Sequence, residues 1–100
     1  MDAKEAVRLA KDYVKDIFVE EQITNVGLEE IKFNDDQDCW EITVGFSRPW
    51  DYYARNLFED VHSSFEKQRR PKTRSFKVVN IDASNAKVLS VRNHELTGIQ

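Results

Sequence analysis

The sequence predicts an α+β domain. An N-terminal helix packs on a four-stranded antiparallel meander sheet, with a second helix inserted between strands two and three. Three observations carry this expectation. Apolar residues recur at spacings of three and four over the first eighteen positions, the period of a one-faced helix. From Trp40 to Ser47 apolar and polar residues alternate, the period of a strand with one buried face. Two further β-branched runs, Ser75 to Asp82 and Lys87 to Arg92, flank a short turn and read as a hairpin.

In the helix, Ala3, Ala6, Val7, Ala10, Tyr13, Val14, Ile17 and Phe18 form one stripe, and Asp2 stands where an N-cap belongs. Lys4, Arg8, Lys11 and Lys15 interleave with Glu5, Asp12 and Asp16 on the other face, at spacings that suit short-range ion pairs. Val26-Gly27-Leu28 and Ile31-Lys32-Phe33 make the first strand. Its apolar parity changes between Leu28 and Ile31, which predicts a bulge near Glu29-Glu30. The polar run 34–38 is a turn. In the second strand Trp40, Ile42, Val44 and Phe46 point to the core, while Glu41, Thr43, Gly45 and Ser47 point away, and Pro49 ends it.

Tyr53, Leu57, Phe58, Val61 and Phe65 keep helical spacing, so Asp51 to about Lys67 reads as a second amphipathic helix; a loop with a few buried aromatics is the alternative. Pro71 resets the chain into the third strand. In the turn Ala83-Ser84-Asn85-Ala86, Asn85 is expected to take the left-handed conformation that glycine usually supplies.

One hundred residues suit a single domain spanning 1–100. With 40% hydrophobic and 33% charged residues, the composition is that of an ordinary globular protein. A single cysteine, Cys39, excludes an intrachain disulfide and a multi-cysteine metal site, and suits a reducing compartment. No apolar run is long enough to span a membrane, and the first twenty residues lack the hydrophobic core of a secretion signal, so a cytoplasmic location is expected. Charge is lopsided. Residues 1–66 carry 16 acids against 7 bases, and residues 67–100 carry 2 acids against 8 bases. Such asymmetry either steers an acidic partner or is neutralised across the folded domain.

The stretches AVRLAKDYV, VGLEEIKF, CWEITVGF and RSFKVVNIDASNAKVLSV together resemble the PepSY-like and cystatin-like small domains of bacteria. Those have a helix followed by three or four antiparallel strands and a closing V-D-x-x-x-G-x-V-L-x-V hairpin, here Ile81 to Val91. Two departures stand out: Asn85-Ala86 lies where glycine is usual, and residues 49–72 form a larger insertion than the pattern holds. In outline the chain is also similar to small cytoplasmic bacterial immunity proteins. The resemblance covers about three quarters of the chain and speaks to fold more than function. It implies binding to another protein, as an inhibitor or immunity-type partner of an enzyme, and supplies no catalytic residues.

The residues themselves point away from catalysis. His62 and His94 lack metal-ligand spacing, Cys39 has no base beside it, and the Asp35/Asp36/Asp38 run lacks the glycine and distal glutamate of a calcium loop. No phosphate loop, dinucleotide fingerprint or nucleophile elbow occurs. No enzyme activity, cofactor or metal is expected. The binding residues expected instead are Arg48, Trp50, Tyr52 and Tyr53, a cluster of the types enriched in interface hot spots, with Arg69, Arg70, Lys72 and Arg74 to steer. The competing account of Trp50 and one tyrosine is that they cap the open end of the core. Two alternatives belong to other classes. The 51–67 segment could cover a partner's sheet in a homodimer. The basic run 67–74 could contact phosphates, but the acidic whole and the lack of a nucleic-acid-binding motif disfavour that.

Overall fold

A computed structural model of the chain describes residues 1–49 and 74–94. Asp2 opens α1 (Ala3–Ile17). Its backbone is extended, and its Oδ1 accepts from the Glu5 N–H at 2.9 Å, satisfying an amide that has no partner within the helix. The helix closes at Phe18, whose N–H donates to the Val14 carbonyl at 3.1 Å. A single 3₁₀ turn follows at Val19–Glu21, and Gln22, at a φ of 53°, redirects the chain into the sheet.

The strands are β1 (Thr24–Asn34), β2 (Cys39–Ser47), β3 (Ser75–Asp82) and β4 (Val88–Asn93). All neighbours are antiparallel and the order is β1-β2-β3-β4, the meander that the sequence predicts, with α1 on one face. The second helix expected at 51–67 lies outside the described residues. In β1, Leu28 stands opposite Val44 and Glu30 opposite Thr43, so Glu29 is the extra residue of a bulge, where the parity change in the sequence places it. A second irregularity lies between Thr24 and Gly27, where Asn25 has a φ of 54°.

Ala6, Ala10 and Val14 pack on Ile42, Val44, Phe46, Val79 and Ile81, all fully buried. The helical stripe needs one correction. Its buried line runs at intervals of four through residues 6, 10 and 14. Leu9 beside that line is half-buried against the core, whereas Tyr13 and Ile17 are exposed. Leu9 and Tyr13 overhang the cleft between α1 and the start of β4, where Val88 is the apolar side chain that meets them. Trp40 is half-buried, with Phe33 set edge-on against it at a centroid distance of 4.9 Å.

The β3–β4 turn is organised by Asp82. Its Oδ1 accepts from the Ser84 hydroxyl (2.6 Å), the Ser84 N–H (2.8 Å) and the Asn85 N–H (3.4 Å). The residue in the left-handed region is Ala86, at a φ of 62°, and not Asn85 as the sequence suggested. The Asn85 side chain is used differently, its Oδ1 accepting from the Lys87 N–H at 3.0 Å. Ala86 occupies the place where the hairpin pattern carries glycine. An L-residue there costs roughly 1–2 kcal/mol, part of which glycine returns as unfolded-chain entropy. Ala86→Gly should therefore stabilise the domain by about 0.5–1 kcal/mol, read from the urea midpoint at unchanged slope.

The same turn sets a pH dependence. The Ser84 hydroxyl, then the Ser84 and Asn85 amides, hold the Asp82 carboxyl below its ordinary value against a smaller opposing desolvation. A carboxylate depressed in the folded state contributes stability above its unfolded pKa of about 3.9 and loses it as pH falls through the folded value. Asp82→Asn should thus be less stable than the parent at pH 7, with the gap closing on acidification below about pH 4. Urea titrations at neutral and acid pH read both arms.

Candidate protein-binding face

The sheet has a second face, turned away from α1, and strand register determines what stands on it. Glu30, Thr43, Val78 and Arg92 form one row across all four strands. Lys32, Glu41, Asn80 and Ser90 form the next, and Gly27, Gly45 and Phe76 lie on the other side of the first. Thr43 and Val78 are buried at the centre, with charges at the edges. Two adjoining concavities share Glu30, Thr43 and His94: one also takes in Glu29 and Phe76, the other Lys32, Glu41, Val78 and Arg92.

His94 follows β4 and is tied down three ways. Its N–H donates to the Phe76 carbonyl at 3.1 Å, its ring stands edge-on to Phe76 at 6.5 Å, and its Nε2 lies 3.7 Å from Glu30 Oε1, an ion pair when the ring is protonated. Beside it, Arg74 donates to Glu29 Oε2 at 3.2 Å. This pair lies over Gly45, where a Cβ would stand 2.8 Å from both the Arg74 and Glu29 side-chain ends. The glycine thus gives two long side chains room to cross the central strand.

Arg48 is placed differently. Its Nε donates to Glu21 Oε1 at 2.6 Å and its Nη1 to Ser75 Oγ at 2.7 Å, with the guanidinium 5.5 Å from the Phe18 ring centroid and 5.1 Å from that of Phe46. It closes one end of the core on the helix side, while Arg74 lies on the face turned away from α1. These two members of the expected binding set do not meet. Trp50, Tyr52, Tyr53, Arg69, Arg70 and Lys72 lie outside the described residues. The face gains Glu29, Glu30, Phe76, Arg92 and His94, which the sequence reading did not assign to binding. Strand alternation was the available signal, since it assigns Glu41, Thr43, Phe76 and Val78 to the side opposite the core.

Cys39 is fully buried, and burial first, then the charges of Glu41, Asp82 and Asp38, push its thiol above the ordinary value. A protonated, enclosed thiol is a poor nucleophile at neutral pH. Among the described residues no group of three or more His, Cys, Asp or Glu is placed to hold a metal ion, and no helix is long and apolar enough to cross a membrane. Compared with models of known protein families, with curated proteins and with solved structures, the chain matches none.

The Arg48 contacts make a stability prediction. Its side chain is only 16% exposed, its bonds are charge-assisted, and it lies over two rings. Arg48→Ala should cost about 2 kcal/mol in urea denaturation. A change near zero would show that the residue is not part of the core closure.

Proposed function

We propose that the protein is a small protein-binding module, an inhibitor or immunity-type partner of a bacterial enzyme, acting in the cytoplasm without catalysis of its own. The observation that carries this reading is the composition of the open sheet face. Half-buried Phe76, set beside the buried Val78 and Thr43, forms an apolar centre ringed by Glu30, Glu41, Lys32, Arg92 and His94. An apolar centre within a polar, mixed-charge rim is the anatomy of a protein interface, where the centre supplies affinity and the rim supplies specificity and steering. A partner with a small apolar protrusion flanked by both signs of charge would fit it. Arg74, which donates to Glu29 over Gly45, is proposed here as a steering charge. Trp50, Tyr52 and Tyr53 are proposed as further anchors on residue type, with Arg69, Arg70 and Lys72 as steering charges. The likeness of the chain to PepSY-like and cystatin-like domains supports the same reading.

The test is affinity capture from a bacterial lysate with the parent chain beside a Phe76→Ala/Arg92→Glu variant, folding of both confirmed by circular dichroism. One protein should be retained by the parent and lost with the variant, and titration of that purified protein should show affinity falling about tenfold or more. Equal retention by both baits would remove the open face as the site.

A further inference from the structure

The outer side of β1 is a free edge: among the described residues, no strand pairs along it. β1 is the longest strand of the sheet, and its helix-side row Leu28, Ile31 and Phe33 stays about two-fifths exposed, at 43%, 38% and 39%. A free edge with an apolar row beside it invites strand addition. We infer that its occupant is β1 of a second copy of this chain, paired antiparallel about a two-fold axis at Ile31.

Register singles out this arrangement. Directly opposite residues of an antiparallel pair point to the same face, so a symmetric pairing must be centred on one residue. Beyond the bulge, the regular stretch is Glu30–Asn34. Centring on Glu30 stacks two glutamates, and centring on Lys32 stacks two lysines; like charges directly opposite are unfavourable. Centring on Phe33 keeps a ladder of the same three-residue length, Lys32 to Asn34, but sets Lys32 against the copy's Asn34 and forms no ion pair. Centring on Ile31 sets Ile31 against its own copy on the helix side. On the open face it sets Glu30 against the copy's Lys32, twice over. The Glu-Ile-Lys triplet is complementary to itself when reversed. The two four-stranded sheets then join into one, both helices lie on the same face, and the exposed row of each copy is extended by the other's. The inference shares Glu30 and Lys32 with the rim of the proposed partner site, but it is read by self-association of the chain alone, with no partner present.

A charge swap tests it. Parent, Glu30→Lys, Lys32→Glu and the double Glu30→Lys/Lys32→Glu variant are compared by sedimentation equilibrium, with circular dichroism confirming that each is folded. The parent should dimerise reversibly. Each single reversal places like charges at both symmetric positions and should weaken the dimer about tenfold or more, and the double swap should restore it. In parallel, the Ile31→Cys variant under oxidised glutathione should close a disulfide between the two copies of position 31, identified by peptide mapping. A parent that stays monomeric to high micromolar concentration, or single reversals that dimerise as the parent does, would overturn the inference.

Discussion

The close approach of α1 to the sheet is the constraint on which the rest of the molecule depends. Ala6 and Ala10 carry nothing beyond Cβ, so the helix backbone settles onto the side chains of Ile42, Val44 and Phe46. A helix with its side chains is about 10–12 Å across, whereas four strands at about 4.8 Å spacing are wider than that. One helix therefore covers two or three strands. It contacts β1, β2 and β3, and β2, beneath it, is buried from Ile42 to Ser47. Among the described residues, the same geometry leaves two surfaces that α1 does not cover: the far face of the sheet, and the helix side of β1 beyond the helix flank.

Charge closes the core where apolar side chains run out. Arg48 lies over Phe18 and Phe46, whose tilted rings stand 5.1 Å apart, and donates hydrogen bonds to Glu21 and Ser75. Lys77, opposite Val44 and so on the helix face, also reaches the Phe18 ring, with its ammonium 5.6 Å from the centroid, and bonds Asn93. Long cationic stems laid on aromatic surface with their heads at the rim are a common way to seal a small core. An arginine used in this way is not equivalent to one on the far face, although residue type does not tell Arg48 from Arg74. The distinction lies in strand parity, because Arg48 continues the side of Phe46 and Arg74 the side of Phe76.

The elements that were legible are those whose signal is local and repeated. The α1 stripe, the β2 alternation and the β3–β4 hairpin are patterns over six or more residues, and each forms where the pattern lies, with Asp2 capping α1 as its position predicts. Single positions were less legible. Asn85 is the stronger left-handed former by residue type, yet Ala86 takes that conformation, because Asp82 organises the turn upstream and its carbonyl accepts from the Ala86 N–H at 2.9 Å. Local hydrogen bonding overrides intrinsic preference there. Leu9 and Tyr13 have equal claims on the helical period. They separate by their place along the sheet, which a helical wheel does not contain. Of the expected binding residues, Arg48 was chosen by type, and type does not report whether a guanidinium faces solvent or two phenylalanine rings.

The bulge at Glu29 links the fold to both proposed surfaces. Without it, strict alternation would send Leu28 and Ile31, three residues apart, to opposite faces, and would separate Glu29 from Glu30 in the same way. With one residue inserted, Leu28 and Ile31 share the helix side and extend the apolar row to Phe33. Glu29 and Glu30 share the open face, one reaching Arg74 over Gly45 and the other His94. The bulge also ends the irregular half of β1, leaving a regular stretch that opens with Glu30-Ile31-Lys32, the triplet whose charges match their own reversal. A single extra residue in the edge strand therefore sets the acidic rim of one surface and the register of the other. Deleting it would not merely shorten β1. It would turn one half of the strand over, burying a glutamate or exposing an isoleucine, and neither surface would survive.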